Sequence, residues 1–497
     1  MRLTPLRFAL AATLTLAACG DDDDAAPPPG SSVPTALIEG PVTAGKGIIL
    51  QGTTFPLADV GYMQEEYFVS GTARAFTNTA ELRSDGKWDV EDANTPADYK
   101  TRIVVRRPID AADFNGIVFV EWLNVSAGFD SGPDWIFAHV ELIRRGYAYV
   151  GVSAQFVGVE GTGGPPLIPG LDFVLKTGDP ERYGSLSHPG DSYSYDIYSQ
   201  VGRALREPNG VDPLGGLSPD YVIAAGESQS AWRMVTYVNA IAPAADVFDG
   251  YLIHSRLGGS TPLSQDPLPA IDTPAVVKIR TDLDVPVLTF ESETDLIELE
   301  AAPDRQDDGP NFRWWEVAGT SHADTYTLLV GMSDRGDDPS VADVVVTAEP
   351  IPTIIECDSP INSGPHHFVL KAGIRALENW VRDGVAPPSS PRLELAGSPP
   401  MLLRDDLGNS IGGIRTPYVD APIAQLLGES PGGSAFCFLF GKTIPFDQAT
   451  LDDLYPDHDT YVAAVTESTQ SAVDAGFLLA PDAELILTSA EQSDIGR

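Results

Sequence analysis

The sequence contains 497 residues, 43% of them hydrophobic, and its 71 Asp and Glu outnumber 31 Lys and Arg to give a formal net charge of −40. A chain of this length and composition can bury the core of one large decorated domain or of two smaller ones. Its acidic balance argues against nucleic-acid binding, which needs a basic face, and favours solubility.

The first residues have the pattern of a targeting segment, which is set aside before the fold is considered. Arg2 and Arg7 precede an apolar stretch over 8–18, which is too short to span a bilayer because about 20 apolar residues are needed. The stretch ends in LAACG, which resembles the bacterial lipobox. We therefore predict a lipoprotein signal peptide over 1–18 and lipidation of Cys19, with an ordinary signal peptide as the alternative.

The next segment, residues 19–35, is acidic and rich in proline. Its successive aspartates repel one another and its prolines stiffen the chain, so we predict a tether without a core of its own. The start of the chain thus predicts a protein anchored by lipid in the cell envelope, on the periplasmic side or the outer surface. Both the inner and the outer membrane stay open as the location of the anchor.

From about residue 100, strand-like apolar runs alternate with helical patterns. This alternation predicts a mostly parallel sheet flanked by helices, an α/β architecture. The predicted strands are Tyr99–Arg107, Gly116–Trp122, Tyr147–Ala154, Tyr221–Ala225, Asp249–His254, Val285–Glu291 and Phe312–Val317. The predicted helices are Asp134–Arg145, 193–206, 229–241 and Phe368–Arg382.

The segments outside this alternation are predicted to decorate the sheet. The pattern before residue 100 is typical of an antiparallel β extension. The Gly- and Pro-containing excursions at about 155–192 and 255–284 are longer than ordinary connections, which indicates a lid or substrate walls. A C-terminal extension covers about 385–497. We expect residues 36–497 to form a single decorated domain.

The sharpest chemical signal is AGESQS at residues 225–230, between a buried strand and a helix. A serine hydroxyl is a weak nucleophile that must be exposed and held against a base. A strained strand–turn–helix elbow achieves this and tolerates only small residues two places on either side, hence the usual G-x-S-x-G. Here Ser230 replaces the second glycine. We predict Ser228 as a nucleophile in an α/β-hydrolase fold; the alternative is a tight turn that happens to contain serine.

The base must follow the nucleophile, because this fold orders the serine, the acid and the histidine along the chain. His322 lies in the loop directly after the last predicted strand, where the fold presents its histidine, and is the predicted base. His254 comes too early, directly after the elbow helix and its strand. His366, His367 and His458 are predicted to be surface or structural residues.

The acid must accept a hydrogen bond from the imidazole and hold its tautomer. The loop after the preceding strand contains two candidates, Asp295 and Glu293. Asp295 is favoured because it stands after a strand and a short turn, and Glu293 is the alternative. Either carboxylate could instead be a solvated surface group, since the chain is so acidic.

Acyl transfer also requires hydrogen-bond donors for the developing oxyanion. The backbone N–H of Gln229, the residue after the nucleophile, is the first predicted donor. The second is expected in the loop after the strand 116–122, at Asn124 or Val125, although this loop lacks an HGGG-type run. Asn124 could alternatively be a turn former that satisfies its own backbone.

Several segments together resemble the alpha/beta hydrolase domain-containing family of large secreted bacterial proteins, whose members are largely uncharacterised. They are the elbow, GTSHAD, VEWLNVSAG, GYAYVGVSAQ, INSGPHHFVLKAGIRALENWV and GGIRTPYVD. The likeness runs from about residue 36 to the C-terminus. It implies the hydrolase fold and a triad on Ser228, His322 and Asp295 or Glu293. Because elbows in the family resemble GESQS, Ser230 is compatible with it.

The remaining candidates are structural. Cys357 and Cys437 remain once Cys19 is assigned to the lipid, and an oxidising compartment favours a disulfide over two free thiols. Arg415 could reach a substrate carboxylate, or tie down the tail by ion pairing. No metal motif such as HExxH, no GxGxxG with its acidic partner and no P-loop occurs, so neither a metal nor another cofactor is predicted.

The function expected from these residues is an extracytoplasmic serine hydrolase, a carboxylesterase acting through an acyl-enzyme on Ser228. Its partners would be a small-molecule or polymeric ester and, through the anchor, a membrane. A peptidase or amidase on the same triad and a non-catalytic surface-binding lipoprotein are the alternatives, because a fold alone never proves activity.

Overall fold

The computed structural model describes residues 32–163 and 171–497, and these residues are organised around a ten-stranded sheet. Its strands, numbered in chain order, are β1 (Leu37–Glu39), β2 (Tyr62–Ala73), β3 (Ala97–Pro108), β4 (Ile117–Trp122), β5 (Ala148–Val152), β6 (Asn209–Gly210), β7 (Tyr221–Glu227), β8 (Gly250–His254), β9 (Val287–Glu291) and β10 (Phe312–Glu316). The predicted signal peptide and Cys19 lie outside the described residues.

The strand order is β10-β9-β8-β7-β4-β5-β3-β2-β1-β6. From β10 to β5 every neighbouring pair is parallel. The pairs β5/β3, β3/β2 and β2/β1 are antiparallel. A parallel half therefore carries the functional loops at its carboxyl edge, and an antiparallel half extends it on the N-terminal side. This confirms the predicted α/β-hydrolase fold class.

The longer helices of the described chain are α1 (Pro133–Arg145), α2 (Ser194–Arg206), α3 (Gln229–Thr236), α4 (His366–Asp383), α5 (Gln448–Leu454), α6 (His458–Asp474) and α7 (Ala480–Gln492). Shorter helical segments are Phe156–Glu160, Leu175–Gly178, Pro180–Tyr183, Ala242–Ala245, Glu293–Ile297 and Pro417–Asp420. Three small hairpins pair Phe76–Asn78 with Val90–Asp92, Leu395–Ala396 with Met401–Leu402, and Ala424–Leu427 with Lys442–Pro445.

Two hydrophobic cores lie on opposite faces of the sheet, because successive side chains of a strand point to opposite sides. Along β7, Val222 and Ala224 pack in the core with residues of α2 and α3. Ile223 and Ala225 pack in the core with residues of α1 and α4. Burial on both faces explains why the central strands are continuous apolar runs rather than alternating ones.

The predicted helices differ from the observed ones at their ends. The helix predicted over 229–241 is an α-helix only to Thr236 and continues as a wider π turn over Tyr237–Ile241. Pro243, just beyond, has no N–H to offer, and the carbonyl of Asn239 accepts from Arg280 at 2.8 Å instead. The helix predicted to begin at Phe368 begins at His366, directly after Pro365.

The C-terminal extension is attached to the exposed edge of the parallel half. Ile414 forms a parallel bridge with Val317, directly after β10: its N–H donates to the carbonyl of Glu316 at 2.7 Å, and its carbonyl accepts from Ala318 at 3.0 Å. This contact covers the end of the sheet edge. A disulfide joins Cys357 to Cys437, as predicted, and links the extension to the segment after β10.

Within residues 32–163 and 171–497, no helix has both the length and the apolarity to cross a bilayer.

Candidate active site

The turn between β7 and α3 holds Ser228 in a conformation that is rare for residues other than glycine. Its backbone has φ 59° and ψ −121°, whereas non-glycine residues seldom adopt a positive φ. The turn is fixed because the backbone N–H of Ser228 donates to the carbonyl of His254 at 2.9 Å. Gly226 allows close packing, since a Cβ there would lie 2.9 Å from Ser230 and Met234.

Three of the residues predicted from the sequence form one hydrogen-bonded row. Nε2 of His322 lies 2.8 Å from Oγ of Ser228, and Nδ1 of His322 lies 2.6 Å from Oδ1 of Asp295. All three residues are buried. Because a carboxylate can only accept, Asp295 fixes the tautomer with the proton on Nδ1 and leaves Nε2 to accept from the serine hydroxyl.

Asp295 is held by the start of the short helix Glu293–Ile297. Its Oδ2 accepts from the backbone N–H of Ser292 at 2.6 Å, and Oγ of Ser292 accepts from the N–H of Asp295 at 3.3 Å, forming a capping box. Oδ1 is thereby aimed at His322. Burial alone would raise the pKa of Asp295, but His322 and the bonds from Ser292 bring it below its usual value.

The alternative acid, Glu293, points away from the imidazole. Its Oε1 accepts from the N–H of Gly319 at 2.7 Å, and its Oε2 accepts from the N–H of Gly428 at 3.0 Å. Arg404 pairs with Oε2 at 3.3 Å. Glu293 therefore links the loop that carries His322 to the C-terminal extension.

A third carboxylate, which the sequence reasoning did not assign, adjoins the same row. Oε1 of Glu227 lies 3.3 Å from Nε2 of His322, and the residue is buried. Burial raises the pKa of Glu227 to about 8, against the opposing effect of His322. Burial lowers the pKa of His322, but Glu227 and Asp295 outweigh it and raise the pKa above the usual value. The sequence signal that could have identified Glu227 is an acidic residue at the end of an otherwise apolar strand.

The loop after β4 and the elbow supply candidate donors for an oxyanion. Within the described part of the chain, the backbone N–H groups of Val125 and Gln229 have no hydrogen-bond acceptor. Asn124 is engaged: its N–H donates to Ser131, its Oδ1 accepts from Ser126 and its Nδ2 donates to the carbonyl of Glu227 at 3.2 Å. Asn124 thus ties the loop to the elbow.

A pocket of about 310 Å³ opens over Ser228 and His322. Its apolar walls include Phe137, Leu328, Met332, Ile351, Phe436 and Phe440. Glu227 and His322 are the titratable residues in this lining. The described residues of the excursions 155–192 and 255–284 do not line it; the segments after β10 and around the disulfide do.

The other predicted positions have structural surroundings. Arg415 pairs with Asp420 at 2.6 Å and with Asp405 at 3.6 Å, which ties down the tail. His366 and His367 are buried rather than on the surface, because the helix begins earlier than predicted and packs both rings among aromatic side chains. Within the described ranges, no group of three His, Cys, Asp or Glu side chains is placed to hold a metal ion.

No curated protein matches the chain. Solved structures that it resembles include a thermostable esterase from Pseudomonas putida ECU1011, with 13% identity, 57% of this chain and 80% of that chain covered, and a TM-score of 0.28. Another is a fungal esterase from Rhizomucor miehei, with 12% identity, 49% and 75% coverage, and a TM-score of 0.24.

The family comparison covers most of the sequence. A family model described as an alpha/beta hydrolase domain matches residues 38–488. This span includes the whole ten-stranded sheet apart from the first residue of β1. The chain therefore belongs to the alpha/beta hydrolase domain family.

Proposed function

We propose that the protein is a serine hydrolase that cleaves carboxylic esters through an acyl-enzyme on Ser228. The observation that carries the proposal is the row Ser228–His322–Asp295, with contacts of 2.8 and 2.6 Å, at the floor of a pocket. A serine in such a strained elbow, facing a histidine that is oriented by a buried carboxylate, is the arrangement that nucleophilic acyl transfer requires.

In the first half-reaction, Oγ of Ser228 attacks the ester carbonyl carbon while Nε2 of His322 takes the hydroxyl proton. Asp295 keeps the imidazole oriented and stabilises the imidazolium. The unengaged N–H groups of Val125 and Gln229 would receive the oxyanion. Collapse of the tetrahedral intermediate breaks the bond to the alcohol oxygen, which leaves with the proton from His322.

In the second half-reaction, water occupies the place of the alcohol. His322 takes a proton from this water as it attacks the acyl carbon, and a second tetrahedral intermediate forms over the same two N–H groups. Its collapse returns the proton to Oγ of Ser228 and releases the carboxylic acid.

The pocket leads us to expect short acyl groups. Its volume of about 310 Å³ lies at the lower end of the range for small-molecule sites, roughly 300–1,000 Å³. Apolar walls suit an acyl chain and disfavour a substrate that carries its own carboxylate. Acetate and butyrate esters are therefore expected to be cleaved faster than long-chain esters.

The test is hydrolysis of p-nitrophenyl esters, from acetate to long chain, by the purified protein and by Ser228→Ala. The matched control is Ser230→Ala, which removes a buried hydroxyl two residues away. Activity lost in the first variant and kept in the second supports the proposal. Cleavage of amides but not esters would favour a peptidase or amidase, and no turnover of either class would favour a non-catalytic binding protein.

The location is a second part of this proposal. The residues LAACG at 16–20 support lipidation of Cys19 and a position in the cell envelope. Metabolic labelling with a radioactive fatty acid should mark the wild-type chain and not Cys19→Ser. A label retained by Cys19→Ser would contradict the anchor without affecting the esterase proposal.

A further inference from the structure

Beneath the row, three buried side chains from three separate elements form a continuous chain of hydrogen bonds. Oδ1 of Asp134, in the first turn of α1, lies 2.7 Å from Nδ1 of His254 at the end of β8. Nε2 of His254 lies 2.7 Å from Nε2 of His366 at the start of α4. Nδ1 of His366 lies 2.8 Å from the carbonyl oxygen of Ser321, the residue before His322.

The donor and the acceptor of each hydrogen bond in this chain follow from the last group, the carbonyl oxygen of Ser321. A carbonyl oxygen only accepts, so Nδ1 of His366 carries a proton. If both imidazoles are neutral, Nε2 of His366 is an acceptor, so Nε2 of His254 donates to it. Nδ1 of His254 is then also an acceptor, and Oδ1 of Asp134 must donate. The three hydrogen bonds need three protons. Two neutral histidines supply two of them, so the chain is complete only when Asp134 is protonated.

The surroundings decide where that proton resides. The ring of His366 is stacked against Phe137 at a centroid distance of 4.3 Å and against Phe290 at 5.1 Å. The ring of His254 meets the same two phenyl rings edge-on. An apolar cage of this kind disfavours an imidazolium. In agreement, burial lowers the pKa of both His254 and His366 to about 3.

The carboxyl group of Asp134 also fits the neutral form. Its second oxygen, Oδ2, is buried and has no hydrogen-bond partner in the described part of the chain. An ionised carboxylate in this position would leave an uncompensated charge in the core. Burial raises the pKa of Asp134 to about 8, so the acid holds its proton at neutral pH.

We infer that Asp134 is a neutral carboxylic acid and that Asp134, His254 and His366 act as positioning residues, a one-way hydrogen-bond chain that holds the loop carrying His322. The importance of this loop for catalysis rests on the proposed function. The protonation of Asp134 is independent of that function. Pinning the carbonyl of Ser321 fixes the backbone directly before the imidazole that must reach both Ser228 and Asp295.

Other titratable and charged groups face this chain from every side. Glu121 accepts from the N–H groups of Asp134 and Trp135 and from the hydroxyl of Tyr149, so its oxygens are occupied. The guanidinium of Arg106 lies over the rings of Trp135 and Tyr149. Further groups within electrostatic reach are Tyr198, Glu227, Asp295, His322 and His367.

These neighbours set the direction of the pH effect. Burial is the cause of the raised pKa of Asp134, and the pKa values of the neighbouring acids Glu121 and Glu227 are raised by burial as well. The three acids lie close together, so ionisation of one of them opposes ionisation of the others. Loss of the proton of Asp134 at alkaline pH would leave two acceptors, the carboxylate of Asp134 and Nδ1 of His254, facing each other, so this hydrogen bond would be lost. The chain would then no longer hold the loop of His322 in place.

The test compares Asp134→Asn with Asp134→Ala. The amide N–H₂ of asparagine can donate to Nδ1 of His254 and does not ionise, so Asp134→Asn should keep kcat near the wild-type value. Its alkaline loss of kcat should move to higher pH than in the wild type. Asp134→Ala removes the donor, and kcat should fall by at least about tenfold with little change in KM, as expected for a misplaced base.

Two results would overturn the inference. One is an Asp134→Asn variant as impaired as Asp134→Ala, which would indicate an ionised Asp134 paired with an imidazolium. The other is an Asp134→Asn variant whose alkaline limb is unchanged from that of the wild type.

An infrared measurement on folded protein separates this inference from the proposed function. The wild type minus Asp134→Asn difference spectrum at neutral pH should contain the C=O stretch of a protonated carboxylic acid, lost as the pH is raised. This readout needs no turnover and no Asp134→Ala protein. A spectrum without that band overturns the inference even if esters are cleaved, and a band in a protein without esterase activity overturns only the proposed function.

Discussion

Glu227, the residue before the predicted nucleophile, places Oε1 3.3 Å from Nε2 of His322, the nitrogen that faces Ser228 at 2.8 Å. His322 is thus flanked by two carboxyl groups on its two ring nitrogens. A carboxyl group and an imidazole at this distance compete for one proton. The acid that adjoins the elbow therefore sets the pH range in which His322 can act as a base.

Glu227→Gln should extend activity to lower pH. The pKa of His322 is raised because the carboxylates of Glu227 and Asp295 outweigh burial. A base works only when neutral, and removing one carboxylate lowers the pH at which it becomes neutral. The measurement is the acid limb of kcat/KM against pH, with Glu39→Gln at the sheet edge as the control. An acid limb that stays in place, or moves to higher pH, would rule out this role of Glu227.

Measurements of kcat should show which of the two candidate acids, Asp295 or Glu293, orients His322. Asp295→Asn is expected to lower kcat by about 10⁴-fold, since an amide facing Nδ1 favours the wrong tautomer of His322. Glu293→Gln should keep most of kcat, because Glu293 contacts Gly319, Gly428 and Arg404 instead.

The free energy of unfolding of the same two variants is the control, because it separates a loss of catalysis from a loss of structure. Glu293→Gln should lower the free energy of unfolding by about 1–3 kcal/mol through its lost buried bonds. Urea unfolding alongside steady-state kinetics measures both quantities. Equal losses of kcat in the two variants would contradict the assignment of Asp295.

Much of this site was predictable because its signals are local. A buried apolar run, a small-residue turn and a helix identify Ser228, and the loop after the last strand identifies His322. Ser292-x-x-Asp295 is a capping box, a local signal that also favours Asp295 over Glu293. Helix boundaries at Thr236 and His366 were missed by a few residues, since they depend on Pro243 and Pro365.

The unpredicted parts depend on contacts distant in sequence. Asp134 and His254 are separated by 120 residues, and His254 and His366 by 112. No spacing pattern indicates that these side chains meet, and a histidine at a helix start is normally expected near solvent. Likewise the proximity of Glu227 to His322 arises from the elbow geometry and the docking of another loop, so sequence alone did not assign it.

The two small positions of the elbow should respond in opposite ways to alanine. At Gly226 an added Cβ would lie 2.9 Å from the backbone of Ser230 and from Met234, and such overpacking costs about 1–3 kcal/mol. Ser230 has a buried hydroxyl without a partner among the described residues, so Ser230→Ala should gain about 1 kcal/mol.

Chemical denaturation of Gly226→Ala and Ser230→Ala measures both changes, and ester hydrolysis checks that Ser230→Ala stays active. A strongly destabilised or inactive Ser230→Ala would show that the hydroxyl has a partner or a role that this account lacks.

The disulfide should support both the stability and the pocket. It closes a separation of 80 residues, and removing a native disulfide typically costs about 2–5 kcal/mol. Phe436, Leu439 and Phe440, next to Cys437, line the pocket. The double variant Cys357→Ala/Cys437→Ala should therefore unfold at lower denaturant concentration and show a raised KM. Wild-type protein with and without reductant is the control, and an unchanged unfolding midpoint would argue against the bond.

The central claim, an acyl-enzyme on Ser228, is tested most directly by covalent labelling with a fluorophosphonate and peptide mass spectrometry. The account predicts one adduct per chain on Ser228, slowed by a competing p-nitrophenyl ester, greatly slowed in His322→Ala and absent in Ser228→Ala. No adduct on the folded wild-type protein, or one on another residue that persists in Ser228→Ala, would contradict it.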